Sequence, residues 1–229
     1  MQKLILGNWK SNKTDQEVDS WLSEFIHKTK GLDFSKVEAV IAPPYPFLYK
    51  FKKIALKLGV QDISPFSAGS YTGAVAAHSL QDFGVDYVII GHSERRRYFL
   101  ETGDLISQKI TQALINNLKP VVCVDESSFT ELLSKVDQID LQQCVIAYEP
   151  VSAIGTGNNA SIEDVKNFKI KVEEKIGNVR YIYGGSVNET TVTEYLLVSD
   201  GVIIGGASLD AQQFVRVLRA AQGDYTEGS

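Results

Sequence analysis

Short, almost wholly apolar runs alternate along the chain with longer stretches in which apolar residues return at helical spacing. Residues 3–7, 37–42, 59–63, 86–90, 120–124, 144–148, 179–183 and 201–204 are the short runs, rich in Val, Ile and Leu. Unbroken apolarity, as opposed to alternation with polar residues, marks strands of a parallel sheet covered on both faces. Between them, Thr14 caps a helix with Val18, Trp21, Leu22, Phe25 and Ile26 on its inner side, and residues 47–58 read as a second helix. A long irregular segment, 64–75, precedes a short helix through Leu80, and helical sequence resumes after Arg96 as far as Leu118. Residues 127–136 follow as helix, a Ser161-x-x-Asp164 cap opens another that Gly177 and Asn178 end, and a last helix reaches about Ala221. Eight strands, each followed by helical sequence, predict an α/β protein closed as a (β/α)8 barrel. An open doubly wound sheet is the rival, but no Gly-x-Gly-x-x-Gly follows the first strand.

A chain of 229 residues is the usual size for one such barrel, so a single domain over 1–229 is expected, with a polar, mobile tail at 222–229. With 44% hydrophobic and 22% charged residues, the composition is that of a globular protein with a filled core. The 23 basic and 28 acidic residues leave a charge of −5, and the densest basic spot, 94–97, is too short to track a nucleic-acid backbone. Nothing approaches a membrane span, and the start at Met1 lacks secretory features. A cytoplasmic protein with no nucleic-acid or membrane partner is expected. Cys123 and Cys144 lie in apolar runs and read as reduced, buried thiols.

A parallel barrel gathers the ends of all its strands on one face, where polar residues far apart in sequence become neighbours. Asn8 and Lys10, alternate residues leaving the first strand, then point to the same side, and His92, Glu94 and Glu149 leave the fourth and sixth. After Glu149 come Pro150, Val151, Ser152, Ala153, Ile154, Gly155, Thr156 and Gly157, small residues and two glycines around one large apolar side chain. That is the make-up of a lid. Taken singly, each residue has a plainer reading: a solvated Glu-Pro turn, a structural histidine, a surface lysine. His27 and His78 keep it.

Six motifs in order change the balance: Gly7-Asn-Trp-Lys10, Gly91-His-Ser-Glu-Arg-Arg96, Tyr148-Glu-Pro-Val151, Ala153-Ile-Gly-Thr-Gly157, Tyr183-Gly-Gly-Ser-Val187 and Gly205-Gly-Ala-Ser-Leu209. Over essentially its whole length the chain resembles the triosephosphate isomerase family. The resemblance implies a TIM barrel that interconverts dihydroxyacetone phosphate and glyceraldehyde 3-phosphate through an enediolate, in glycolysis and gluconeogenesis, with neither cofactor nor metal. It makes Glu149 the base, His92 a neutral donor, Lys10 the fixed positive charge, Asn8 a donor beside it, and Glu94 a positioning partner of Lys10. Phosphate would meet Gly155, Ser186, Gly205 and Gly206, while Ile154 and Ile203 press on Glu149 from two sides to exclude water. In the family, segment 64–75 inserts into a second copy, with Thr72 and Gly73 at the tip, so a homodimer is expected.

The chain also departs from the family. Ser152 stands where the lid has a tryptophan, Asn158 replaces a lysine, and Ala74 replaces a glutamate that would pair near Arg95 of a partner. Asp125 replaces a glycine and is expected to set an extra carboxylate beside Glu126. A non-catalytic barrel retained as a phosphate binder is the second reading, suggested by the altered lid. A Schiff-base aldolase would want a lysine at a buried strand end, and Lys10 alone is near one.

Overall fold

The computed structural model describes residues 1–52, 54–150 and 159–223. Strands β1 (Lys3–Asn8), β2 (Val37–Ala42), β3 (Lys57–Val60), β4 (Val85–Ile90), β5 (Lys119–Val124), β6 (Val145–Tyr148), β7 (Arg180–Tyr183) and β8 (Gly201–Ile204) pair in sequence order, and β8 closes on β1. All pairs are parallel. Helices α1 (Asp15–Lys28), α2 (Ser93–Tyr98), α3 (Gly103–Ile115), α4 (Glu126–Leu133), α5 (Gln138–Leu141), α6 (Ile162–Ile176), α7 (Val192–Val198) and α8 (Ala211–Gln222) surround the barrel, with 3-10 helices at Tyr45–Phe51, Ala77–Phe83 and Gly206–Ser208.

Strand alternation sorts the core into two layers. Leu4, Leu6, Val40, Tyr87, Ile89, Val121, Ile182 and Ile203 fill the barrel, while Ile5, Ile41, Val88, Val122 and Ile146 face the helices. This is why the strands read as continuous apolar runs. Helix ends follow their caps: Thr14 and Glu17 form a reciprocal capping box, Ser161 caps α6, and Gly177 ends it.

Four expectations need correction. Residues 47–58 are not one helix but the 3-10 helix Tyr45–Phe51 followed by β3, which starts at Lys57 and not at 59. Phe47, Leu48, Phe51, Ile54, Ala55 and Leu58 return at helical spacing and carry a helical pattern on to 58, but pairing of Lys57 and Leu58 with Val40 and Ile41 decides for strand. Ile26 is 49% exposed, because Val18, Trp21, Leu22 and Phe25 fill the inner stripe of α1 and Ile26 lies a step round from it. Gln222 belongs to α8 and is buried, with Gly223 closing the helix in a left-handed conformation, so the expected tail cannot begin at 222; residues 224–229 lie outside the described residues. Asp125 accepts from Ser128 N at 2.7 Å as the N-cap of α4, so its carboxylate serves the helix end and is not a free neighbour of Glu126. Both cysteines are free and buried, and burial pushes the Cys144 thiol up to about 12.

At the end of the barrel opposite the C-terminal strand ends, Glu38 on β2 accepts from Lys57 Nζ at 2.5 Å, from Tyr87 Oη at 2.8 Å and from Arg180. Burial pushes its carboxyl upward, but these three donors outweigh it and bring the pKa down from 4.5 to about 2. A carboxyl depressed on folding contributes stability that is complete above its unfolded pKa and is lost as pH falls through the folded one. Glu38→Gln should therefore cost ~2 kcal/mol at pH 7, allowing for solvent screening at the open barrel end. Denaturant midpoints of parent and variant should converge as pH falls from 4.5 toward 2; a gap independent of pH would contradict this.

Candidate active site

Glu149 follows β6 directly. Its N–H donates to Val124 O at 2.8 Å, carrying the ladder one step past the strand and fixing where the side chain leaves the barrel. The carboxylate is buried: Oε2 accepts from Ser93 N at 3.3 Å, and Oε1 stands 3.4 Å from His92 Nε2. Below it, the Cys123 thiol hydrogen-bonds to Glu149, and burial first, then this carboxylate, push the thiol pKa up. Gly184 leaves no room for a side chain beside the carboxylate, since a Cβ there would lie 2.7 Å from Glu149 Cγ and 2.8 Å from Ile203 Cγ2. Ile203 thus bounds the carboxylate's side of the site from within the barrel.

His92 is the N-cap of α2. Its Nδ1 accepts from Glu94 N at 3.2 Å, and the Glu94 carboxylate, 3.6 Å away, is too far to compete. An accepting Nδ1 carries no proton, so the ring's N–H is at Nε2, the nitrogen that faces Glu149.

Lys10 reaches the same space by a route other than strand alternation. β1 ends at Asn8, and Lys10 has φ 53°, a left-handed conformation that costs about 1 kcal/mol for a residue with a side chain. Its own N–H to Asn8 Oδ1 (3.1 Å) and its carbonyl, which accepts from Gln61 Nε2 (2.9 Å), hold the turn. Trp9 between them is fully buried, with Nε1 donating to Ser208 O at 2.9 Å. The ammonium ends 2.6 Å from Glu94 Oε1.

These groups border a cavity of about 390 Å³, which Asn8, Lys10, His92 and Glu149 line together with Ser186, Gly205 and Gly206. Gly205 lies beside the Lys10 side chain, and Gly206 opens the 3-10 helix Gly206–Ser208. Glu94 is outside the cavity and meets it through Lys10 and His92. Thr72 and Gly73 sit on the exposed segment that a Ser64 N to Val75 O bond closes. Pro150 is buried, whereas Val151, Ser152, Ala153, Ile154, Gly155, Thr156, Gly157 and Asn158 lie outside the described residues. His27 and His78 are exposed and away from the cavity. Ser93, Asn188 and Gln213 also border the cavity and were not anticipated. Ser93 acts through its backbone N–H, which residue identity does not advertise, and Gln213 is an unremarkable helix residue by pattern. Among the described residues, no group of three or more His, Cys, Asp or Glu is placed to hold a metal ion.

Carboxylate, imidazole and ammonium around a cavity with glycine loops, all at the C-terminal ends of eight parallel strands, define a (β/α)8-barrel enzyme. Residues 3–221 match the family model described as triosephosphate isomerase. Relatives bearing that name include proteins of Dictyoglomus thermophilum (38% identical over 96% of this chain and 99% of theirs), Mesomycoplasma hyopneumoniae (39%; 95% and 99%) and Alkaliphilus oremlandii (37%; 94% and 98%). The chain belongs to the triosephosphate isomerase family.

Proposed function

We infer that the protein isomerises dihydroxyacetone phosphate and glyceraldehyde 3-phosphate, a step of glycolysis and gluconeogenesis. The observation that carries this reading is the facing pair, Glu149 Oε1 and His92 Nε2–H, 3.4 Å apart in a cavity that Lys10, Ser186, Gly205 and Gly206 also line. Moving a carbonyl one carbon along a triose requires a base for a carbon-bound proton and a donor for the oxygen that becomes negative. Glu149 takes the proton from one carbon and returns it to the next. His92 donates from Nε2 to the carbonyl oxygen as it becomes negative, gives up that proton to it and recovers one from the neighbouring hydroxyl, and because its Nδ1 is engaged by Glu94 N–H, it does so as neutral imidazole. Lys10 places its charge near the enediolate and the phosphate, held by Glu94, and Asn8 supplies a neutral donor beside it. Ser186, Gly205, Gly206 and, from the lid 150–157, Gly155 take the phosphate. Ile154 closes over Glu149 opposite Ile203, expelling water and strengthening the base. The chemistry needs only protons already in the site, so neither cofactor nor metal enters the scheme.

A coupled assay with dihydroxyacetone phosphate tests the activity, and absence of turnover would overturn it. Glu149→Asp withdraws the carboxylate by one methylene, so turnover should fall ~10²-fold while substrate binding changes little. Turnover within threefold of the parent would remove Glu149 as the base.

The working form is proposed to be a cytoplasmic homodimer; no described helix is long and apolar enough to cross a membrane. Supporting the dimer, Phe66 and Tyr71 stack at 4.3 Å on the exposed segment, and Tyr98, Phe99 and Leu100 are 65%, 66% and 76% exposed. The loss of a glutamate at Ala74 is matched inside the chain, where Arg95 pairs with Asp62 at 2.8 Å and with Glu101. Association should then rest on apolar contact and vary little with ionic strength between roughly 0.05 and 0.5 M, a range over which the Debye length shortens about threefold. Sedimentation equilibrium across that range checks it; a fully active monomer, or a dimer that salt dissociates, would contradict it.

A further inference from the structure

Two loops on neighbouring strands, 184–188 after β7 and 205–207 after β8, form the glycine-rich side of the cavity. The seam beneath them is the thinnest in the barrel. β7 and β8 pair at one position, Tyr183 opposite Val202, whereas β8 pairs with β1 at four positions and β6 with β7 at four. The sheet alone therefore fixes the separation of these loops less firmly than it fixes any other pair of strand ends, and a bound dianion depends on that separation.

Side chains tie the β7 loop to α8, the helix that begins at Ala211, directly after the β8 loop and its Gly206–Ser208 turn. Asn188 Oδ1 accepts from Thr190 N at 2.9 Å and from Thr190 Oγ1 at 2.7 Å, while Asn188 N donates to Thr191 Oγ1 at 3.2 Å, which turns the loop sharply and sends Glu189 toward α8. Glu189 Oε2 accepts from Gln213 Nε2 at 2.9 Å, and Oε1 accepts from Arg216 Nε at 3.0 Å. Gln213 and Asn188 border the cavity, but Glu189 does not. Burial pushes the Glu189 carboxyl up, yet the hydrogen bonds from Gln213, its own backbone and Arg216 hold it below the usual range, so it is an anion at neutral pH. Arg216 balances that charge, and the bridge can stand beside a phosphate without repelling it.

We propose that Glu189 is a positioning residue for phosphate recognition, which through Gln213 and Arg216 sets the spacing of the two glycine loops that receive the substrate's phosphate. The proposal rests on the isomerase reading above and adds to it the group that tunes its phosphate subsite. An exposed ion pair that merely joined a loop to a helix would change stability slightly and ligand affinity not at all. A spacing device acts instead on ligands that carry phosphate, since donors must meet the oxygens to within a few tenths of an ångström.

Glu189→Ala, Glu189→Gln and Arg216→Ala separate these roles when inorganic phosphate is titrated calorimetrically into each and turnover is measured with dihydroxyacetone phosphate and with phosphate-free glyceraldehyde. In Glu189→Ala the Kd for inorganic phosphate should rise about fivefold or more, with glyceraldehyde turnover within about twofold of the parent. Glu189→Gln, which keeps one acceptor for Gln213, should recover part of the affinity, and Arg216→Ala should lose about twofold. Phosphate affinity in Glu189→Ala within twofold of the parent, or an equal loss of glyceraldehyde turnover, would overturn the proposal. If Glu189→Ala does not fold, unchanged phosphate affinity in Arg216→Ala overturns it alone. A parent that binds phosphate but does not turn over dihydroxyacetone phosphate would sink the isomerase reading, while the phosphate comparison still judges Glu189.

Discussion

Most of the site hangs on one hydrogen bond, from Glu94 N–H to His92 Nδ1. It caps α2, where an unpartnered backbone N–H would otherwise be left, and in the same act it fixes the imidazole's tautomer and plane. Because Nδ1 is occupied, Nε2 presents a proton toward Glu149. The helix start that the bond secures also supplies Ser93 N–H to the other Glu149 oxygen and points the Glu94 side chain at Lys10. Four polar groups from three strand ends are thus registered against one another through a two-residue turn, and loosening that turn would disturb all of them together.

The barrel makes such economy possible. Each strand end is fixed by two neighbours, so a residue one or two steps past the strand inherits its precision, as Glu149 does through its N–H to Val124 O. The packing is tight where the chemistry is, with Gly184 admitting no Cβ between Glu149 and Ile203. Where the sheet is thinly paired, between β7 and β8, Glu189 of the β7 loop is hydrogen-bonded to Gln213 of α8.

Strand number and closure could be read from the sequence, because unbroken apolar runs have one economical explanation when they recur eight times. So could the gathering of Asn8, Lys10, His92 and Glu149, since a parallel barrel leaves strand ends no other place to meet. The route by which Lys10 arrives was not legible: alternation gave its side, but the backbone takes a left-handed turn that only the Asn8 and Gln61 contacts reveal. Nor was the start of β3, because the apolar residues up to Leu58 keep helical spacing. Backbone donors such as Ser93 N–H and bridges such as Glu189 to Gln213 depend on three-dimensional neighbours and leave no mark in residue pattern. Asp125 shows the converse: a carboxylate suspected of crowding Glu126 is used up by its own helix end.

The geometry of the site depends on which nitrogen of His92 carries the proton. Nitrogen-15 NMR of the imidazole, with the protein labelled at histidine and held at pH 8, reads this directly. The structure predicts for His92 a neutral ring protonated at Nε2, with an unprotonated, hydrogen-bonded Nδ1. A proton on Nδ1, in either the other neutral tautomer or the imidazolium, would mean that Glu94 N–H does not hold the ring, and the shared origin proposed for the site's geometry would fail.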